Sequence, residues 1–204
     1  MANKNNRKRK NSSSKENLNK KKLLETTLNY LKNNSWTKLN LQSIFKKSAI
    51  SYSNGLCIVK NKKELLLILN DYFEKKFFIK INKILASNTH EKIFEIFMIK
   101  FEIYSEHRKV VIKTFNYISK KPDLIIYFIP TLFKSFSSVL ELSNVSSKGI
   151  TGNLKVEGLI IIFILTFLVW KADETKNMEK TMASIDNYLT KGEVLVNLLN
   201  KKDL

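Results

Sequence analysis

Only five glycines and two prolines interrupt this chain of 204 residues, and their scarcity constrains the fold more than any other feature. Sheets built from many short strands need frequent turns, and glycine and proline supply most of those turns. Apolar residues make up 44 % of the chain, which is enough for a hydrophobic core. Leucine, isoleucine and phenylalanine recur at spacings of three and four, so the sequence predicts an all-α fold of about nine helices.

Positive charge is concentrated at the N-terminal end of the chain. Residues 1–62 contain 15 Lys and Arg against 2 Asp and Glu, whereas residues 63–204 contain 21 against 16. The net charges are therefore +13 and +5. Lysine outnumbers arginine by 33 to 3, which is typical of low-GC codon usage, but such a bias would act on both parts alike. A concentrated positive field attracts a polyanion, either nucleic acid or an anionic membrane surface.

The sequence carries no pattern typical of a catalytic or metal site. The single cysteine, Cys57, excludes an intrachain disulfide and a cysteine-based metal site. The two histidines have no paired carboxylate or histidine at ligand spacing, and there is no glycine-rich phosphate loop. We therefore predict that the protein is not an enzyme and has no metal site and no cofactor.

The longest apolar stretch, residues 159–170, is shorter than the roughly 20 residues that a membrane span needs. Residues 1–22 contain no apolar run of the kind found in secretory signals. We therefore expect no transmembrane segment and a cytoplasmic protein. The stretch itself is apolar nearly all round, which predicts a helix buried on most sides in a core or a subunit interface.

Composition and periodicity divide the chain into three regions. Residues 1–16 are mostly Lys, Arg, Asn and Ser, which predicts a disordered basic tail. Residues 17–70 contain three short helices and the start of a fourth, and we predict a helix–turn–helix domain there. Residues 71–204 contain longer helices that we expect to form a helical bundle.

Residues 41–56 have the pattern of a helix–turn–helix. Asn40 and Ser51 are suitable N-cap residues for two short helices separated by a tight turn. A helix fits into a DNA major groove about 12 Å wide when a second helix fixes its approach. The predicted buried positions are Ile44, Phe45, Ala49, Ile50 and Leu56. The predicted DNA-contacting residues are Lys46, Lys47, Ser51, Tyr52, Ser53, Asn54, Lys60 and Lys62.

The outward positions of the third helix also predict the sequence specificity and the salt dependence of DNA binding. Tyr52, Ser53 and Asn54 include no arginine for guanine, so sequence readout is expected to be modest. Flanking lysines would supply most of the affinity, so binding is expected to depend strongly on salt.

Residues 23–77 resemble the N-terminal domain of TetR-type transcriptional regulators. The matching stretches are residues 39–51 (LNLQSIFKKSAIS) and 61–66 (NKKELL). The C-terminal half resembles a TetR-like subgroup of alphaproteobacteria. The matching stretches there are residues 94–102, 107–108, 149–154, 169–173 and 180–189.

The resemblance implies a TetR-like fold in which an N-terminal three-helix domain binds double-stranded DNA and a C-terminal bundle dimerises. It also implies a small hydrophobic effector bound by the C-terminal bundle. In the family's pattern Ser51 opens the recognition helix, and Tyr52 and Asn54 face the groove. Family members usually have Gly, Tyr and Phe where this chain has Ser53, Leu56 and Val59, and these departures concern DNA binding rather than the fold.

The helix that contains residues 159–170 is the most apolar one in the chain. It would be buried in a four-helix interface if it paired with its own copy and with the last helix. The predicted dimerisation residues are Leu159, Ile162, Phe163, Phe167, Trp170, Met182, Ile185 and Leu189. The predicted effector pocket is lined by Phe97, Phe101 and His107.

A resemblance to a second family gives an alternative to the TetR-type prediction. Lipid-binding accessory proteins of ubiquinone biosynthesis use the same fold, and Trp36-Thr37 and residues 173–186 resemble that group. Those proteins have an acidic and aromatic segment before their penultimate helix, which this chain lacks. The corresponding region here is residues 143–152, which contain no Asp or Glu. A lipid is therefore the alternative partner.

Overall fold

The computed structural model describes the backbone of residues 2–81 and 88–200, and the side chains of 16–81, 88–194 and 196. Over that part of the chain it contains nine helices and no strand, which confirms the predicted all-α fold. The helices are α1 (Ala2–Asn33), α2 (Leu41–Lys47), α3 (Tyr52–Ile58), α4 (Lys62–Ile81), α5 (Thr89–Ser105), α6 (Arg108–Ile118), α7 (Pro122–Leu142), α8 (Gly149–Ala172) and α9 (Glu179–Asn200).

The chain divides into two compact units, and the residues of α4 are shared between them. Unit 1 comprises Met1–Lys75 and His107–Lys121, and unit 2 comprises Lys76–Glu106 and Pro122–Leu204. The sequence analysis placed all of residues 71–204 in one C-terminal bundle, whereas α6 belongs to unit 1. Periodicity could not show this, because it reports which face of a helix is buried and not which distant helix covers that face.

Three side chains of α6 hold it in unit 1. The Trp36 indole Nε1 donates a hydrogen bond to Thr114 Oγ1 at 2.9 Å, and its ring stacks on Tyr117 with 5.7 Å between ring centroids. Lys113 Nζ donates to carbonyl oxygens in the last turn of α1, including that of Leu31 at 2.9 Å. An ammonium group at this end of a helix satisfies unpaired carbonyls and is favoured by the helix dipole.

The start of α1 differs from the sequence prediction. The helix begins at Ala2, whereas residues 1–16 were predicted to be a disordered tail. Residues 1–33 contain no glycine or proline that would stop a helix. Once residues 17–33 have formed a helix, each further residue adds a hydrogen bond without a new nucleation cost. A segment that buries little apolar surface can therefore still extend a helix that has already formed.

Aromatic side chains fill the core of unit 2. Phe163 of α8 lies at their centre, with its ring stacked on Phe101 at 5.1 Å between centroids. Phe97 of α5 and Phe136 of α7 approach the same ring at 5.3 and 5.0 Å. Trp170 closes the cluster next to Phe101 at 5.8 Å. All five rings are buried, so this cluster joins α5, α7 and α8.

Two helices of unit 2, α7 and α8, have the length and composition of a membrane span. The sequence analysis counted only residues 159–170, whereas α8 extends over 24 residues. The core helix of a soluble protein passes the same test, so neither helix is established as a span. Only 33 % of the most apolar part of α8 is buried, so the described residues leave much of its apolar surface uncovered.

Asp173 connects the end of α8 to the beginning of α9. Its carboxylate accepts hydrogen bonds from the amide and hydroxyl of Thr181 at 2.8 and 2.7 Å. It also accepts two from Thr175, at 3.0 and 2.6 Å. Burial raises the pKa of Asp173, but these four hydrogen bonds outweigh burial and hold the pKa well below its usual range.

His90 connects the first turn of α5 to α9. Its Nε2 lies 3.1 Å from Asp186 Oδ1 and its Nδ1 lies 3.0 Å from Glu193 Oε1. Ionised carboxylates only accept hydrogen bonds, so both contacts are satisfied when the imidazole is protonated. Burial lowers the pKa of His90, and the two carboxylates outweigh it, so the pKa is raised.

Replacement of Asp173 by Asn is expected to lower the free energy of unfolding by about 2 kcal/mol at neutral pH, because hydrogen bonds to a buried charge are lost. Since the folded-state pKa lies below the ordinary value of about 4, this stabilisation is present above that value and is lost as the pH falls. Urea denaturation of both proteins from pH 7 to pH 3 measures this difference, which should shrink in acid. The neighbouring exposed carboxylate gives the control, Glu174→Gln, and an equal effect of both changes would contradict the prediction.

Candidate nucleic-acid interface

Both predicted N-caps of the helix–turn–helix are confirmed. Asn40 Oδ1 accepts hydrogen bonds from the amides of Gln42 and Ser43 at 2.9 and 3.4 Å at the start of α2. Ser51 Oγ accepts one from the amide of Asn54 at 3.4 Å at the start of α3. These bonds satisfy amides that have no partner inside the helix, so both helices start where the sequence places their caps.

The turn between α2 and α3 has a left-handed residue. Ala49 adopts a φ of +54°, and the next residue, Ile50, returns to the core with its amide bonded to Phe45 O at 3.0 Å. Ile44, Phe45 and Ile50 are buried as predicted. The prediction that Ala49 is buried where two helices come close is wrong, because its side chain is exposed, and Leu56 is only half-buried.

The close approach occurs instead at Gly55. A Cβ atom at this position would lie 2.6 Å from ring atoms of Phe45, which is closer than any side chain tolerates. Only glycine therefore allows α3 to lie against the Phe45 ring at this distance. The sequence analysis missed Gly55, although a glycine inside a helical pattern is itself a signal of close backbone approach.

The outer side of α3 faces away from the core. The side chains of Tyr52, Ser53, Asn54 and Cys57 are all exposed, and Tyr52 is 55 % exposed. The ring of Tyr52 rests with its edge against Phe45 at 6.0 Å between centroids. Ser51, predicted to open this helix at the DNA, is also exposed.

Exposed lysines flank this surface. Lys46 and Lys47 lie at the end of α2, and Lys60 lies after α3. Lys47 Nζ is 5.3 Å from the centroid of the Tyr30 ring. None of the three ammonium groups has a carboxylate partner among the described residues. Their charge is therefore available to an external anion.

Lys62 differs from the other predicted DNA contacts. Its Nζ donates to the carbonyl oxygens of Trp36 and Thr37 at 2.9 and 3.3 Å, and its side chain is half-buried. Burial and the charge of Lys121 lower the pKa of Lys62. The structure thus places Lys62 as a brace between α4 and the loop after α1, rather than as a free phosphate ligand.

Six of the eight predicted dimerisation residues are buried inside unit 2. They are Leu159, Phe163, Phe167, Trp170, Ile185 and Leu189, while Ile162 and Met182 are half-buried. These side chains form the core of their own unit and are not on its surface. The exposed apolar residues of α8 are a different set, Ile150, Leu154, Ile161, Ile164, Leu165 and Leu168, here called the α8 stripe.

The predicted effector pocket does not form within either unit. Phe97 and Phe101 are fully buried in the aromatic cluster of unit 2. His107 belongs to unit 1, where its Nε2 is hydrogen-bonded to the Tyr72 hydroxyl at 2.9 Å. Unit 2 instead has an open groove of about 460 Å³, lined by Phe78, Lys134, Ser137, Ser138, Glu141 and Leu142.

Among the described side chains, no group of three or more His, Cys, Asp or Glu is arranged to hold a metal ion.

Comparison with known proteins identifies the type of fold. No protein-family model matches this chain, and no curated protein matches its sequence. The structure is similar to the TetR transcriptional regulator from Nitrosomonas europaea ATCC 19718, with a TM-score of 0.70 and 19 % sequence identity over 84 % of this chain and 96 % of that chain. The fold is therefore of the TetR type, as the sequence resemblance predicted.

Replacement of Gly55 by Ala is expected to lower the free energy of unfolding by about 2 kcal/mol, because the added methyl group overlaps the Phe45 ring. The control is Gly158→Ala in α8, where an added Cβ meets nothing within 4 Å. There the greater helix propensity of alanine should leave stability unchanged or raise it by up to about 1 kcal/mol. Chemical denaturation measures both, and an unaffected Gly55→Ala protein would show that the helices do not pack in this way.

Proposed function

We propose that this protein is a dimeric, DNA-binding transcriptional regulator of the TetR type, with no enzymatic activity, that acts on DNA in the cytoplasm. The observation that supports this most is the outward face of α3. Neutral hydrogen-bonding side chains project from a short capped helix, and exposed lysines lie on both sides of it. This arrangement on a TetR-type fold suits a helix that enters a major groove between two phosphate backbones.

The flanking lysines are assigned to phosphates in this proposal. Lys46, Lys47 and Lys60 are exposed and have no carboxylate partner in the described part of unit 1. Neutralising phosphates with such groups releases counterions from DNA, which makes binding salt-dependent. Lys62 takes no part, because its ammonium group is already bonded to two carbonyl oxygens.

Dimerisation is assigned to the α8 stripe. Ile150, Leu154, Ile161, Leu165 and Leu168 follow one another at spacings of four, seven, four and three, so they lie along one side of the helix. A row of exposed isoleucine and leucine side chains of this length is costly to leave in water. Packing it against the same row of a second copy, related by a two-fold axis, would bury both.

Control by a small hydrophobic effector stays a prediction. Aromatic rings already occupy the space around Phe97 and Phe101, so an effector there would have to displace them. The groove beside Phe78 and Leu142 combines apolar side chains with Lys134 and Glu141, and it suits an amphiphilic molecule better.

Lipid binding is the second candidate function, and one observation favours it. The α8 stripe, together with the exposed Ile125, Ile126 and Ile129 of α7, could also contact a membrane surface. A chain that is monomeric, binds lipid vesicles and has no affinity for DNA would favour this candidate over the regulator.

Replacing Lys46 and Lys47 together by Gln is expected to weaken DNA binding for all sequences alike. Each lost phosphate contact should reduce the slope of log K against log salt by about 0.9. Fluorescence anisotropy with labelled duplexes between 50 and 300 mM salt measures both effects. The control is Lys176→Gln with Lys180→Gln, two exposed lysines of unit 2 with the same total charge change. Equal losses in the two double variants would mean that net charge alone attracts DNA.

Replacing Ile161 and Leu165 together by Glu is expected to convert the dimer into a folded monomer, because four carboxylates would meet at the two-fold interface. Sedimentation equilibrium gives the mass, and circular dichroism confirms that the helices remain. The control is Ile126→Glu, an exposed apolar residue of α7, which should leave the dimer intact. A wild-type protein that is monomeric at tens of micromolar would contradict the proposed interface.

A further inference from the structure

The surface that α3 presents carries no charge at all. Between Lys47 and Lys60 the sequence contains no Lys, Arg, Asp, Glu or His. The side chains that point outward from this segment are Tyr52, Ser53 and Asn54, with Cys57 one turn further on. The positive charge of the helix–turn–helix therefore lies at its flanks, where phosphates run, and not on the face that would meet base edges.

Hydrogen bonds within α3 leave few groups on this face to read bases. Ser51 Oγ accepts the amide of Asn54 and lies 3.3 Å from Ser53 Oγ, so both serine hydroxyls have a local partner. The Asn54 carboxamide and the Tyr52 hydroxyl have no hydrogen bond to any described residue. These two groups are thus the principal polar groups that α3 offers to a ligand.

The chemistry of these two side chains discriminates between base pairs. A carboxamide places a donor beside an acceptor, which matches N6 and N7 of adenine in the major groove. Guanine presents two acceptors, which arginine or lysine satisfies, and cytosine presents a donor, which a carboxylate satisfies. The outward face of α3 contains none of these charged groups.

The position of Tyr52 is set by its neighbours. Its ring edge contacts the Phe45 ring at 6.0 Å, and the Phe45 ring is itself covered by Gly55. An aromatic ring held in this way offers an apolar edge next to a hydroxyl. Among the four bases, thymine presents a methyl group in the major groove for apolar contact.

We infer that α3 reads A·T base pairs, with the Asn54 carboxamide on N6 and N7 of an adenine and the Tyr52 ring on a thymine methyl group. This inference rests on the proposed function. Affinity then comes from the flanking lysines and is shared by all sequences, while sequence preference comes from these two neutral side chains. The operator half-site is accordingly A·T at the positions that α3 contacts.

The first experiment is selection of duplexes from a random pool by the full-length protein at 150 mM salt, followed by sequencing. Paired half-sites with A·T cores are the expected result. Replacing single adenines of the selected site by 7-deazaadenine should then reduce affinity about tenfold at one position of each half-site, because the N7 acceptor is lost. Uracil in place of thymine removes only the methyl group and should weaken binding at a neighbouring position.

Side-chain substitutions assign these effects to residues. Asn54→Ala should bind the unmodified site about tenfold more weakly and lose its sensitivity to 7-deazaadenine, while retaining the salt dependence of the wild type. Asn187→Ala is the matched control, the same substitution at an exposed asparagine of unit 2, and it should keep both the affinity and the sensitivity. Circular dichroism checks that both variants are folded.

Different outcomes would overturn the inference and the proposed function. Selected sites with G·C cores, binding without any base preference, or an Asn54→Ala protein that still detects 7-deazaadenine would overturn A·T reading by α3 and leave the regulator intact. A wild-type protein with no saturable, salt-dependent affinity for any duplex would overturn the proposed function itself.

Discussion

The contact between Gly55 and the Phe45 ring is the constraint on which the helix–turn–helix depends. It lets α3 lie against α2 at a distance that no larger residue permits. Phe45 in turn supports the ring of Tyr52, and the caps Asn40 and Ser51 define where the two helices begin. Because these contacts are local and Phe45 and Gly55 are buried, the outward direction of the α3 side chains follows from the core behind them.

The lysines of unit 1 lie in two different environments, and a count of lysines does not distinguish them. Lys62 and Lys113 are used inside unit 1, where each donates to carbonyl oxygens next to α1. Lys46, Lys47 and Lys60 remain exposed around α3. Basic composition therefore does not by itself identify an exposed cation, since Lys62 is one of the 15 basic residues of the stretch 1–62 and bonds to carbonyl oxygens of its own unit.

Helix α8 is apolar on two sides, of which one is buried and the other is exposed. One side, with Phe163 and Trp170, completes the aromatic core of unit 2. The other side carries the α8 stripe, which its own chain leaves exposed. Four of the predicted dimerisation residues, Leu159, Phe163, Phe167 and Trp170, lie on the first side, because the hydrophobic pattern of such a helix has no polar face to orient it. A four-helix interface through the second side stays a prediction.

The sequence by itself determined the helical class, the TetR-type fold and the capped helices of residues 41–56, because scarce turn residues, helical periodicity and N-caps act over short distances. It also determined that Tyr52, Ser53 and Asn54 face outward. Only the tertiary structure decided that α6 and His107 belong to unit 1, that Lys62 braces a loop, and which side of α8 is exposed. Each of these depends on contacts between residues far apart in the chain, such as Lys113 with Leu31 or His90 with Asp186, and local pattern carries no information on which distant surfaces meet.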